Sequence, residues 1–520
     1  MNTTEEDYIL KMEHITKVYP NGFIANKDIS FSVRKGEIHA LAGENGAGKT
    51  TLMKILFGIE EPEEGKIIYK GEEVKIKNPL HAIKTGIGMV HQHFMLVPSL
   101  TVAENMVLGI EPRKLGLINF KEAVKNTREI SEKFGLSIDP SARVADLQVG
   151  MKQRLEILKA LYRGADVLIL DEPTAVLTPQ ETIEIFKELK RLRNMGYTII
   201  FISHKLNEIK ELCDRVTIIR DGRLVAILDI AGTDEKEISR LMVGRDIETL
   251  QEKEPLPPGK KQLEVLHVNY KNDSGQTLLY DIGFSIRGGE VFGIAGIEGN
   301  GQNELCELIT GIKKIQGGTI CICGDKIEGK TIRMIRSQGL SHIPQDRMAY
   351  GVTAGGSVTE NLIADRYYKS EYNKGIFQNF NVINKTAERL IGEFDIRCES
   401  REDQVKMLSG GNMQKVVLAR EFSSNPKLIV ANQPTRGIDV GAAELVHRKL
   451  LELRNNGTAV LLISADLQEI MDMSDRLIVV YNGEIAAYFG EAEPRNDVII
   501  GEYMLGLKKM ESSKIKDAGI

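Results

Sequence analysis

Cysteine is scarce: five in 520 residues, at Cys213, Cys306, Cys321, Cys323 and Cys398. The number is odd and the spacing scattered, which excludes a disulfide framework and fits a reducing, cytoplasmic setting. Cys321-Ile322-Cys323 lacks zinc-knuckle spacing and lies in a β-prone run, 319–323, so core packing is the expectation there. Long apolar runs are missing as well. The stretches 167–170, 198–202 and 477–481 are strand-length, far below the ~20 residues that span a bilayer, so work at a membrane would need another chain to supply the spans. No excess of one charge is present either, since 68 Lys and Arg against 73 Asp and Glu leave −5. That argues against a nucleic-acid binder driven by bulk charge, though not against a local basic patch. Residues 1–7 are acidic where a secretory signal would be basic and then apolar, so no export is expected. What remains is a composition of 42% hydrophobic and 27% charged residues, ordinary for soluble protein and long enough for about two to four domains.

The chain repeats itself. Gly36-Glu-Ile-His-Ala-Leu-Ala-Gly43-Glu-Asn-Gly-Ala-Gly48 is echoed by Gly289-Glu-Val-Phe-Gly-Ile-Ala-Gly296-Ile-Glu-Gly-Asn-Gly301, at an offset of 253. Val167-Leu-Ile-Leu-Asp171-Glu-Pro-Thr174 is echoed by Leu428-Ile-Val-Ala-Asn432-Gln-Pro-Thr435 at 261, so the second copy carries a net insertion of eight residues between these points. A charged, Pro- and Gly-rich stretch, 251–261, reads as an exposed connector between a first domain, 1–250, and a second, 262–506. A polar tail, 507–520, is expected to fray. Within each copy β-branched runs (197–202, 216–219) alternate with amphipathic stretches such as 180–195, the pattern of an α/β fold with a mostly parallel sheet.

Gly43-Glu44-Asn45-Gly46-Ala47-Gly48-Lys49-Thr50 completes a G-x-x-x-x-G-K-[ST] loop between a strand-like run, 38–42, and a helix-like one, 51–57. Phosphates need converging backbone N–H groups with no Cβ in the way, hence the glycines, and a following helix N-terminus adds a favourable dipole. Lys49 then reaches the β- and γ-phosphates and the Thr50 hydroxyl takes magnesium. Asp171 ends an apolar run and so belongs at a strand tip, where a metal-holding carboxylate is needed; Glu172 follows, pointing elsewhere, free to polarise an attacking water.

Leu408-Ser409-Gly410-Gly411-Asn-Met-Gln414 opens an apparent helix, and together with the phosphate loop it resembles the signature of ABC-type ATPases. The resemblance covers nearly the whole chain and implies two tandem P-loop ATPase domains. Each would have a mostly parallel core sheet, an antiparallel β part and a helical subdomain. It implies that the signature of one domain caps the γ-phosphate held by the other. It also assigns Gln92 as the loop glutamine facing magnesium and the membrane partner, His204 as the γ-phosphate switch histidine, and Tyr19 as the adenine-stacking aromatic, with Tyr270 a weaker counterpart. Thr51 completes the ATP-binding set, and ATP and Mg2+ are the implied cofactors.

Departures from the family pattern sort by site. The second copy has Gln302 and Asn303 for Lys49 and Thr50, Asn432 and Gln433 for Asp171 and Glu172, and Ala465 for His204. It keeps Gly296, Gly301 and Gln345, whose neighbours Asp346 and Arg347 are open between structural and functional roles. The first copy's signature reads Leu147-Gln148-Val149-Gly150, with a branched side chain where backbone must approach phosphate. Thr178 stands where the second copy has Asp439. Head-to-tail pairing as in the family then gives one site with every intact element: Lys49, Thr50, Gln92, Asp171, Glu172 and His204 with Ser409, Gly410, Gly411, Gln414 and Asp439. The other site collects the substitutions.

A broken second site, Thr435-Arg-Gly-Ile-Asp439 and the lack of spans resemble the ATPase subunits of bacterial importers for simple sugars and nucleosides. His91-Gln-His-Phe-Met-Leu-Val-Pro98, Val149-Gly-Met-Lys-Gln-Arg-Leu-Glu156 and Thr174-Ala-Val-Leu-Thr-Pro179 are most similar to the nucleoside type, with ribose or galactose importers as the alternative. The resemblance implies two integral-membrane permease subunits, an extracytoplasmic solute-binding lipoprotein acting through them, no nucleic acid, and a peripheral place on the cytoplasmic face of the membrane. A soluble tandem protein acting on ribosomes is the distant alternative, disfavoured by the short connector and the broken site. A regulatory ATP binder without turnover is disfavoured by Glu172 and His204.

Overall fold

Runs of β-branched and aliphatic residues with no polar face can only sit in the middle of a sheet covered on both sides. In the computed structural model Ile38–Ala42, Val167–Asp171 and Thr198–Ile202 are such strands, buried along their whole length. The structure describes residues 8–20, 22–44, 46–91, 94–174, 177, 179–203, 205–244, 253, 256–257, 259–297, 299–438, 440–490, 493 and 495–517. The chain divides into two units, Met1–Ile247 and Glu248–Ile520.

In the first unit a six-stranded sheet runs in the order Arg223–Asp229, Arg215–Arg220, Ile38–Ala42, Thr198–Ile202, Val167–Asp171, Ile87–Val90, parallel throughout except for the first, antiparallel edge strand. A second, antiparallel sheet joins Ile24–Arg34, Tyr8–Val18, Glu64–Tyr69 and Glu72–Glu73. Between the sheets the helix Lys49–Leu56 buries Leu52, Met53, Ile55 and Leu56 against Leu10, Met12, Phe31 and Ile169. Each such side chain contributes about 2 kcal/mol, and together they fix the loop that precedes the helix. A third part consists of the helices Val102–Val107, Phe120–Phe134 and Val149–Tyr162.

The second unit repeats both sheets in the same strand order, Glu484–Phe489, Arg476–Tyr481, Val291–Ala295, Ala459–Ser464, Leu428–Asn432, Leu340–Ile343 for the larger one. Small devices repeat too. His14 and His267 sit at bulges in the left-handed region (φ 55° and 53°), each 2.7 Å from an aspartate, Asp28 and Asp281. Thr101 with Glu104 and Ser357 with Glu360 form matching capping boxes.

Three expectations are corrected. The connector is not simply exposed, because Lys253 is half-buried, donates to the Ser474 carbonyl at 3.0 Å and lies 3.7 Å from Asp475. The tail does not fray at Leu507: the Met510 N–H donates to the Ala486 carbonyl, Lys509 pairs with Glu484, and a short helix, Ser512–Asp517, follows. In Gly317–Ile322 alternate side chains turn inward, so Ile320 and Ile322 enter the core while Cys321 stays half-buried and Cys323 lies at the core rim.

Candidate nucleotide-binding site

The loop after Ile38–Ala42 needs glycine at two points on steric grounds. Gly43 (φ 152°) would put a Cβ 2.1 Å from the Ile219 carbonyl oxygen, and Gly48 (φ 101°) one 2.3 Å from that of Ala25. Lys49, 6% exposed, folds back over the loop and donates to the carbonyls of Gly43 (2.7 Å) and Glu44 (2.9 Å). Its ammonium thus lies against the loop backbone. Gly46 is exposed, Ala47 is buried, and Thr50 is exposed at the first turn of the helix. The Tyr19 hydroxyl lies 3.4 Å from that of Thr51, and Lys17 lies over its ring, so the aromatic stands beside the helix start. Tyr270 is buried in the core under Lys313. Asn45, Gln92, Thr178, His204 and Asp439 lie outside the described residues.

Asp171 ends its strand only 8% exposed. Burial first, and the Glu172 carboxylate second, push its carboxyl up to about 6, against the opposing pull of Lys49. Glu172 takes a left-handed conformation (φ 47°) held by its N–H on the Ile202 carbonyl at 3.0 Å, a strained geometry of the kind that aims a side chain. Two crowded carboxylates are hard oxygen donors suited to magnesium, and the neighbouring Lys49 suits its phosphate.

One brace escaped sequence reading. Glu208, buried, accepts from the hydroxyls of Thr174 (2.7 Å) and Ser203 (2.9 Å), tying the segment after Glu172 to the one entering His204. Glu469 does the same for Thr435 at 2.9 Å. Both glutamates stand at the 261-residue offset, and that retention was the available signal.

The second copy keeps this framework with altered chemistry. Gln302 is buried as Lys49 is, and a Cβ on Gly296 would meet its Nε2 at 2.1 Å. Gly301 keeps its φ of 101°. Asn432 Nδ2 donates to Asn303 Oδ1 at 3.0 Å, so a neutral amide pair stands at the positions that Asp171 and Thr50 hold in the first copy. Gln433 adopts the left-handed conformation of Glu172 (φ 52°), pinned to the Ile463 carbonyl at 2.7 Å. Gln345 lines a cleft with Asn303, Cys306, His342 and Asn432, and Ala465 is exposed.

The two signature helices differ at their first turn. Exposed Ser409 caps Gly410–Phe422, accepting from the N–H of Asn412 at 3.4 Å and from its Nδ2 at 3.0 Å. Gly410 and Gly411 follow. Gln414, expected at the nucleotide, is buried and donates to the Pro434 carbonyl at 3.0 Å. In the first unit Gln148 makes no side-chain cap, and the N–H of Gly150 is bonded to the Glu181 carboxylate at 3.2 Å.

The family model described as ABC transporter matches residues 26–175 and 279–436. Along nearly its full length the chain is similar to the guanosine import ATP-binding protein NupO of Bacillus subtilis, at 47% identity over 98% of this chain and 99% of that one. It is 44% identical to the nucleoside import ATP-binding protein NupA of Lactococcus lactis, over 92% of this chain and 94% of that one. Identity is 42%, over 92% of each chain, to the glucose import ATP-binding protein TsgD13 of Haloferax volcanii.

Proposed function

Since this chain belongs to the ABC transporter family and is a transport ATPase, we propose that it energises import of nucleosides through one competent composite site and one degenerate site. The observation that carries the asymmetry is the amide pair Asn303–Asn432 in the second copy, set against Thr50 and Asp171 in the first. In the competent site Lys49 and the loop N–H groups bind the phosphates, and Tyr19 stands where an adenine would stack. Thr50, Asp171 and Gln92 are the residues that would hold magnesium, which when bound neutralises charge on the β- and γ-phosphates. Glu172 takes the proton of the attacking water and His204 orients the γ-phosphate. Ser409, Gly410, Gly411 and Asp439 of the second copy close over it, with Gln414 supporting their helix from behind. Gln302, Gln433 and Ala465 leave the other site without cation, base or switch.

In the assembled transporter at saturating ATP, Lys49→Ala and Ser409→Arg should each abolish hydrolysis, whereas Gln302→Ala and Gln148→Arg should keep most of it, with folding followed by thermal melting. Turnover intact in Ser409→Arg but lost in Gln148→Arg would overturn the pairing.

Nucleosides are favoured by the similarity to the guanosine and nucleoside import proteins, and sugars remain the second reading because the glucose import relative is nearly as similar. Uptake of labelled guanosine should disappear when the gene is deleted. Loss of labelled ribose, galactose or glucose uptake with guanosine uptake intact would reverse the assignment.

A further inference from the structure

Three loops of the second unit converge on one side chain. Arg347, two residues past Gln345, opens a π-helical turn, Arg347–Gly351, which Asp346 caps by accepting from the N–H groups of Met348 (2.9 Å) and Ala349 (3.0 Å). Such turns are rare and concentrate at functional sites. This one lies against the signature helix, where a Cβ on Gly351 would come within 3.2 Å of both Val417 and the Arg347 stem. From there the guanidinium runs to the start of the helix, and a Cβ on Gly410 would lie 2.9 Å from its Nη2. It also reaches the loop after Asn432 and Gln433: Nη1 donates to the Arg436 carbonyl at 3.4 Å, and Nη2 would be 3.7 Å from a Cβ on Gly437. Two glycines, one in the signature and one in the segment leading to Asp439, leave the room that this planar group occupies.

The first unit is fastened differently. Phe94 stands where Arg347 does, and the segment after it is held to its helix by Met95, whose N–H donates to Glu156 at 2.6 Å and whose carbonyl accepts from Lys159 at 2.8 Å. At the first turn of that helix the neighbour is the Glu181 carboxylate, and the second unit has Ala442 at that position. One helix start is therefore flanked by a cation and the other by an anion. An incoming phosphate is assisted by the first and opposed by the second.

We propose that Arg347 is a positioning residue for hydrolysis: it holds the Ser409–Gly410 turn and the Arg436–Gly437 loop in the geometry that receives the γ-phosphate, and couples both to the segment following Gln345. This rests on the reading that the second copy's signature completes the Lys49 site. A point charge on a flexible stem cannot span the same contacts as a planar fork, so lysine should substitute only in part.

The test uses the assembled transporter with Arg347→Met, Arg347→Lys and, as control, Ser409→Arg. For Arg347→Met, kcat should fall by about tenfold or more while KM for ATP changes by less than about threefold, the mark of misplacement rather than lost binding. Stimulation of hydrolysis by the solute-loaded binding protein should shrink toward none. Arg347→Lys should be intermediate, with unchanged melting. If Ser409→Arg abolishes turnover but Arg347→Met keeps kcat and stimulation, the role of Arg347 is wrong while the pairing stands. If Ser409→Arg is silent, the pairing fails and this inference falls with it. Should Arg347→Met melt early, Arg347→Lys decides: kcat at the wild-type value overturns the proposal, and a lowered kcat at normal melting supports it.

Discussion

Asp171 is held in a place that disfavours its own charge. The unfolded chain would titrate it near 3.8, the folded one near 6, because of burial first and Glu172 second. Between those values the native state keeps a proton that the unfolded state has lost. Stability of the nucleotide-free protein therefore falls as pH rises from about 4 to about 6, by up to about 3 kcal/mol, and stays low above. Asp171→Asn, which copies Asn432, should accordingly melt higher than wild type at pH 8 in the absence of nucleotide and magnesium, by about 1–3 kcal/mol, with the gap narrowing below about pH 6 and closing near pH 4. It should also lose ATP hydrolysis. Melting curves across that range check this, and a gap independent of pH would refute the electrostatic account. The places of Lys49, Thr50 and Asp171 were legible in sequence because they follow from adjacency to a loop or a strand end. The inward turn of Gln414 was not legible, because whether an amide faces outward or inward depends on Pro434, 20 residues away.

At the scale of elements, the signature helix Gly410–Phe422 is anchored by its far end. Glu421, fully buried, accepts from Arg336 (2.7 Å), Arg420 (2.8 Å) and the N–H of His342 (3.1 Å). Burial alone would raise its carboxyl, but Arg336 and Arg420 hold it down to about 2. Since the folded value lies below the unfolded 4.5, its stabilisation is present above that pH and disappears only as pH falls through about 2. Glu421→Ala removes the carboxylate that Arg336 and Arg420 share and should destabilise the second unit by about 3 kcal/mol at pH 7, read as an earlier urea transition of that unit. The central strands and the helix Pro179–Asn194 were legible to within a residue or so, because an unbroken apolar run or a 3.6-residue period is a local signal. The bulges at His14 and His267 and the π-turn at Arg347 were not. Each depends on pairing with a distant segment.

Among the described residues no helix is long and apolar enough to cross a membrane. Attachment through permeases predicts that the chain expressed alone stays in the soluble fraction and sediments with membranes only when the permease subunits are co-expressed. Salt-resistant membrane binding of the isolated chain, or sedimentation with ribosomes, would contradict it. The tandem plan was readable from end to end because both copies preserve the residues that build the two sheets, whose strand orders coincide. The chemistry diverged, and the amide pair Asn303–Asn432 shows how completely. On the one-site reading, its consequence is one of gearing. A cycle that closes on a single hydrolysis has half the free energy per solute of a cycle with two. Because an accumulation ratio grows exponentially with free energy, the steepest gradient such a transporter can hold is the square root of that held by a two-site machine. Scarce nutrients are then gathered with less nucleotide and to a lower ceiling.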